Sequence, residues 1–477
     1  MSDEARHSGE QGHEGDAAGS PAPAEGAAGS PAAGGAPTPP RKPDPGVRAE
    51  AIRILAEVER GAWSDRLLQA RSPRFEDPRE RRFLNVLVLS TLRWQGALDR
   101  ILAPFVHGGL ARLRPEVRAA LRLGVAQATV LGKQPAIAGD TTVSAMRAVG
   151  GPRPAGLVNA VLRQVFAGEI PEPDPAATVP AWLHRRWVLR YGRERTDRLV
   201  RAALRPARPF LVARPDRGGR EAVAEALARE GVETRPARRH PWGLVVQKGA
   251  PQLTASFDRG DFLLVDEGAA LVASLALPAD GKAVADLAAA PGGKAAILAQ
   301  GKTAGIVALE IFPRRARHLA GLLATRAPSG RAAAVVADAT RPPLPRERFG
   351  TVLLDAPCSG TGTFRRRPEK RHRVRPDDIP DCAARQARML AAAAPLVAPG
   401  GALVYAVCSL EEEEGIGQVR SFLASHPEFT PVDPAEVLGA AAEGLVATED
   451  GIPFLATRPE EEETDGFFAA RLRRRGG

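Results

Sequence analysis

From about residue 47 to residue 166 apolar side chains recur at helical spacing. Ile52, Leu55 and Val58 share one face, and Leu84, Leu87, Val88 and Leu92 share another. That period predicts amphipathic helices. Pro115 stands just before Glu116–Leu123, as helix-initiating prolines do. No strand-like alternation interrupts the block, so residues 47–167 read as an all-α bundle. Residues 168–256 are mixed: a proline-rich start, an amphipathic helix around Trp182 to Leu204, and a strand candidate LVVQ at 244–247. They read as a small α/β insert. Over residues 257–477 apolar runs alternate with Ala-rich helical segments. The strand candidates are AVADLA at 283–288, GIVALE at 305–310, AAVVAD at 333–338, TVLLDA at 351–356 and ALVYAVC at 402–408. Such alternation predicts a parallel, doubly wound α/β sheet, with GFFAARLRR near the end as an antiparallel edge strand. Residues 1–46 hold little but Gly, Ala, Pro and Ser with a few acids, and are expected to be a disordered tail.

The chain has 477 residues and a net charge of +10. This length calls for several domains, and the charge favours a polyanionic partner, most simply nucleic acid. An Arg- and Ala-rich composition competes with that reading. Three cysteines cannot build a disulfide framework. The acidic, polar start has no secretory pattern, and no apolar stretch is long enough for a bilayer. The expectation is a soluble, cytoplasmic monomer without a membrane partner.

Candidate chemistry gathers at the strand ends, where open α/β sheets bind ligands. Ala288, Ala289, Ala290, Pro291, Gly292, Gly293 and Lys294 follow the first strand, and glycines there let backbone approach a ligand closely. The loop is neither a P-loop nor GxGxxG. Glu310 ends the second strand and could accept both hydroxyls of a ribose. Asp338 and Asp355 end the third and fourth, and with Asp286 they predict a nucleoside-type cofactor. Cys358 follows the fourth strand and Cys408 ends the fifth, so two thiols could meet over one ligand. A thiolate adding to carbon 6 of a pyrimidine would make carbon 5 able to attack an electrophilic methyl group. The residues alone do not rank the two thiols. Cys382, on a helical stretch, reads as a buried small hydrophobe. Nearby cations would favour a thiolate: Arg365, Arg366, Arg367, Lys370, Arg371, Arg373 and Arg375 accompany one acid, Glu369. Their position predicts an RNA phosphate clamp. Ser409 and Glu412 fit a capping box, so the acids Glu411 to Glu414 read as a helix's first turn, and no metal site is expected.

Asp-x-x-Ala-Ala-Pro-Gly-Gly-Lys from Asp286, Asp-Ala-Pro-Cys-Ser-Gly-Thr-Gly from Asp355 and Tyr-x-x-Cys-Ser from Tyr405 resemble the RNA cytosine-5 methyltransferases of the Nop/Sun group. The helical block, with LRWQGALDRIL, VRAALRLGVAQ and GLVNAVLRQV, resembles the NusB-like domain fused to its RsmB-type (Sun/Fmu) members. The resemblance implies S-adenosyl-L-methionine bound by Ala288–Lys294, Glu310, Asp338 and Asp355. It implies cytosine-5 methylation of 16S ribosomal RNA through attack by Cys408, with Cys358 assisting release and a protonated Asp355 bonding cytosine N3. The small insert would bind RNA. Val265, Val407 and Gly415 depart from the group's usual pattern. An amino-group methyltransferase would carry Asp/Asn-Pro-Pro in place of Asp355-Ala356-Pro357-Cys358, and a uracil-5 enzyme needs only one such thiol. The alternatives are a tRNA cytosine-5 methyltransferase and a NusB-like antitermination factor with a vestigial catalytic domain.

Overall fold

A computed structural model describes residues 46–278, 281–327 and 330–476. The expected tail lies outside them up to residue 45. Six helices open the described chain: α1 (Gly46–Glu59), α2 (Ser64–Arg71), α3 (Pro78–Leu102), α4 (Pro115–Thr129), α5 (Pro135–Gly150) and α6 (Pro152–Val165). Proline begins α3 to α6, where its fixed φ suits the first turn and its missing N–H leaves nothing unpaired. The faces marked by Ile52, Leu55 and Val58 and by Leu84, Leu87, Val88 and Leu92 meet in one buried core.

Helices α7 (Ala181–Tyr191) and α8 (Arg193–Leu204) replace the single helix expected over this stretch. Gly192, at φ +76°, turns the chain between them. Then come β1 (Phe210–Ala213), α9 (Gly219–Arg229), β2 (Glu233–Pro236), β3 (Gly243–Lys248), α10 (Ala255–Arg259) and β4 (Phe262–Val265). The four strands form a sheet in the order β2-β3-β1-β4. Because Phe262–Val265 pairs along β1, this small sheet extends beyond the boundary expected at residue 256.

The remaining elements are α11 (Glu267–Leu275), β5 (Val284–Asp286), α12 (Gly293–Gln300), β6 (Ile306–Glu310), α13 (Pro313–Arg326), β7 (Ala332–Val336), β8 (Phe349–Asp355), α14 (Asp378–Ala393), β9 (Val397–Val407), α15 (Ile416–Ser425), β10 (Phe429–Val432), α16 (Pro434–Leu438), β11 (Val446–Glu449), β12 (Ile452–Ala456) and β13 (Phe468–Arg474). Their sheet runs β11-β12-β13-β9-β8-β5-β6-β7, with β10 also on β13. Strands β9, β8, β5, β6 and β7 pair in parallel, as the alternating pattern predicts. The sheet as a whole is mixed. β13 is antiparallel to β9 but is not an edge, since the β11–β12 hairpin pairs beyond it. Apolar clusters cover both faces. From β5 the chain winds outward to β7 and then returns to β8 on the other side of β5. That reversal opens a crevice at the carboxyl ends of β5 and β8. No helix among the described residues is long and apolar enough to cross a membrane.

Candidate active site

The loop after β5 packs tightly. Gly292 has φ +116°, and a Cβ there would lie 2.6 Å from Leu322 and 2.7 Å from Leu319, both on α13. Lys294 turns its amine inward, 2.6 Å from Asp355 Oδ2 and 5.0 Å from the Phe467 ring centroid. Asp286 is buried beside them, and its Oδ2 has no hydrogen-bond partner. Burial, then the Asp355 charge, push its carboxyl up to about 7, with Lys294 pulling the other way. Burial opposes the Lys294 charge, yet Asp355 raises that amine's pKa overall. At the end of β6, Glu310 accepts from Phe312 N at 3.0 Å and lies 3.2 Å from Arg315. Arg315 also donates to Ala290 O at 3.0 Å, tying the two strand ends together. Asp338 lies past the end of β7, is exposed, and accepts from Thr340 N at 2.8 Å. That backbone bond holds its carboxyl below the usual range.

Adjacent parallel strands β8 and β9 carry the thiols. Asp355 pairs with Ala406 in register, and each cysteine follows within a few residues. Cys358 Sγ and Cys408 Sγ stand 3.3 Å apart. The bond from Cys358 lowers the Cys408 pKa against the effect of burial, with Lys370 and Lys294 assisting. The same bond, then burial, raise Cys358 well above an ordinary thiol, and Glu414 adds to the rise. The Asp355 charge works against the two lysines at Cys408, so the approach of the Cys358 thiol is the largest influence favouring charge on that sulfur. Cys382 sits half-buried on α14 and is pushed up to about 11, first by burial.

The basic run differs from the exposed clamp its charge predicts. Arg371 is fully buried and donates to the carbonyls of Arg93 (3.1 Å), Ala203 (3.0 Å) and Phe364 (3.1 Å). Arg365 is also buried, and its carbonyl accepts from Arg93 at 3.4 Å. Arg366 bonds Asp465 at 3.0 Å and pairs with Asp266. Arg373 donates to Val58 O at 2.8 Å and Ala62 O at 2.5 Å. The guanidiniums of Arg366, Arg371 and Arg373 thus bond carbonyls and carboxylates elsewhere in the chain, because a buried cation without partners is costly, whereas Arg365 Nε is buried without a partner. Lys370 points to the thiol loop, 3.4 Å from Cys358 O. Of the seven basic residues in the run only Arg367, with its side chain 49% exposed, and Arg375 are exposed.

The acid run also differs from expectation. Helix α15 starts at Ile416 with no side-chain cap, so Ser409 and Glu412 form no capping box. Ser409 Oγ donates to Glu414 at 2.5 Å instead. Sequence reasoning missed Glu411 and Glu414, both buried. A tetrad of acids directly after a candidate nucleophile was the available signal.

Residues 273–473 match the family described as 16S rRNA methyltransferase RsmB/F, and residues 46–167 match the NusB family. The chain is 34% identical to ribosomal RNA small subunit methyltransferase B of Xylella fastidiosa (strain 9a5c) over 427 residues, covering 88% of this chain and 99% of that protein. It is 35% identical to the protein of the same name from Thermus thermophilus over 429 residues, covering 90% and 97%. Among solved structures, that of PH0851 superposes with a TM-score of 0.78 at 26% identity, covering 90% of this chain and 99% of that one. NSun6 from Pyrococcus horikoshii with SFG shares the fold, with a TM-score of 0.53 at 18% identity, covering 62% and 98%.

Proposed function

The chain belongs to the RsmB/F family of 16S rRNA methyltransferases, and from that premise we propose that it methylates carbon 5 of a cytosine in 16S ribosomal RNA through a covalent Cys408–cytosine bond. The 3.3 Å approach of two thiols at adjacent strand ends carries this reading. One thiolate to attack and a second sulfur to assist release is what addition–elimination at a pyrimidine needs.

The crevice residues fit S-adenosylmethionine. Asp286 keeps a buried oxygen without a partner, suited to a cationic amine. Glu310 ends β6, suited to ribose hydroxyls. The close-packed Gly292 turn brings backbone to the ligand. Asp338 and the Ala288–Lys294 loop complete the set. A fold relative solved with SFG is consistent with this cofactor. When bound, S-adenosylmethionine supplies an electrophilic methyl group.

Cys408 adds as the thiolate to carbon 6. The S–C6 bond forms, and the electrons of the C5=C6 double bond make carbon 5 nucleophilic. Lys294 and Lys370 favour the thiolate before attack. Asp355, held by Lys294, is assigned to the cytosine edge. After methylation the carbon 5 proton departs to a base, C5=C6 re-forms and the S–C6 bond breaks. Cys358, the more basic sulfur, assists this release. Denaturing gels with a cytosine-containing 16S fragment test the assignment. Cys408→Ala should give neither adduct nor methylated RNA. Cys358→Ala should accumulate a denaturant-stable adduct that requires S-adenosylmethionine. An adduct in the Cys408 variant would reverse the roles. If neither variant traps RNA while the wild type methylates it, the two-thiol mechanism is wrong.

A further inference from the structure

Glu414 lies beneath the thiol pair and is fully buried. Its Oε1 accepts from Ser359 N at 2.7 Å and from Gln386 Nε2 at 3.2 Å. Its Oε2 accepts from Ser409 Oγ at 2.5 Å and from Ser359 Oγ. Ser359 directly follows Cys358 and Ser409 directly follows Cys408, so one carboxylate grips the chain next to both sulfurs. A frame extends from it. Tyr405 on β9 donates its one hydroxyl proton to Glu414 O at 2.5 Å, and the same oxygen lies 3.1 Å from Gln386 Oε1. Gln386 on α14 donates to Pro357 O at 2.9 Å, on the other side of Cys358.

We propose that Glu414 is a positioning residue that sets the separation of Cys358 and Cys408 by bonding the residue after each. The role deepens the two-thiol reading and rests on it. Burying a carboxylate among neutral donors is an expensive way to fill a core, since an uncharged group of similar shape avoids the desolvation cost. A carboxylate offers four lone-pair directions and no donor. It can therefore accept from an amide N–H, a carboxamide and two hydroxyls together, whereas glutamine would turn an N–H₂ toward donors. Two sulfurs that act in turn on one pyrimidine must both stay within reach of it, and sub-ångström errors in such placement are costly.

The test combines activity with a reading of sulfur separation that needs no RNA. In a Cys382→Ser background, diamide oxidises the Cys358–Cys408 pair. Two thiols give up two protons and two electrons to the azo bond, which becomes a hydrazine, and an S–S bond forms. Glu414→Gln should slow this disulfide capture by about tenfold and lower kcat by about 10- to 100-fold, with KM for RNA and cofactor Kd within about twofold. Ser409→Ala should move both readings the same way by a smaller factor, and it decides the matter if Glu414→Gln does not fold. An unchanged capture rate in the folded variant overturns the inference. So does a loss of cofactor affinity that matches the fall in kcat, because Glu414 would then be a general structural support. The capture rate is independent of catalysis, so it separates this failure from failure of the covalent mechanism, which the Cys408→Ala gel reads.

Discussion

Lys370 reaches the thiols from the loop after β8. Its amine lies 3.4 Å from Cys358 O, and its stem fills the space over Gly360, where a Cβ would fall 1.9 Å from the Lys370 nitrogen. A cation there lowers the Cys408 pKa, so removing it should raise that pKa. Lys370→Gln is expected to move the rising limb of the single-turnover pH–rate profile to higher pH and to cut the neutral-pH rate by about tenfold. An unchanged profile would remove the amine from the thiolate's electrostatics. Individual residues at strand ends were legible in the sequence. A strand's last residue is fixed by its apolar run, and β8 and β9 are neighbours in a parallel sheet, so Cys358 and Cys408 could be brought together on paper. The basic run could be set beside the thiols too, but not which of its members faces them. Charge alone reads as solvent-directed, and only the packed loop shows the amine turned inward.

Among the elements, α7 bears on the site from outside the sheet. Trp187 donates its indole N–H to buried Glu411 at 3.0 Å. Arg186 adds a bond to the same carboxylate at 2.5 Å, and Tyr191 donates to Leu410 O. The segment directly after Cys408 is thus anchored to a helix that precedes β1. Trp187→Phe keeps the aromatic packing and leaves one carboxylate oxygen short of a donor. The expected cost is about 1–3 kcal/mol of stability, measured by denaturant unfolding, with cofactor affinity little changed; a loss below a few tenths would show that Arg186 alone satisfies Glu411. This anchoring also explains why the capping-box reading failed. Ser-x-x-Glu spacing matches a helix start, but Ser409 bonds Glu414 and Ser359 while Glu412 pairs with Arg190 on α7 at 3.0 Å, in place of a local cap. Helices and strands with a clear apolar period were legible, whereas a segment whose acids are buried carries no periodic signal.

On the scale of the whole molecule, the parallel half of the sheet follows from the alternation of runs. Of the antiparallel extension only β13 was read, as an edge, because short half-buried strands such as β11 and β12 carry little apolar pattern. The join between the helical block and the sheet was likewise hidden, since its residues are arginines. Arg371 is buried where α3, the end of α8 and the loop after β8 meet, bonded to three carbonyls. Burial first, then Arg93, lower its pKa to about 9, with Glu369 opposing. Glu369 meanwhile accepts from Ser64 N and Oγ at 2.9 Å, binding the start of α2 to the same loop. Arg371→Met would remove a donor from each of three buried carbonyls while relieving a cation that burial and Arg93 disfavour. Each lost partner costs about 1–3 kcal/mol and the relief returns part of it, for a net loss of about 3 kcal/mol. The helical block should then lose hydrogen-exchange protection before the sheet, whereas in the wild type the two are expected to lose it together. RNA binding discriminates a seam from a phosphate clamp. A phosphate contact would flatten the plot of log affinity against log salt by about 0.7–0.9 on removal, whereas a seam arginine should leave that slope unchanged. A flattened slope with an intact, cooperative fold would return Arg371 to the RNA.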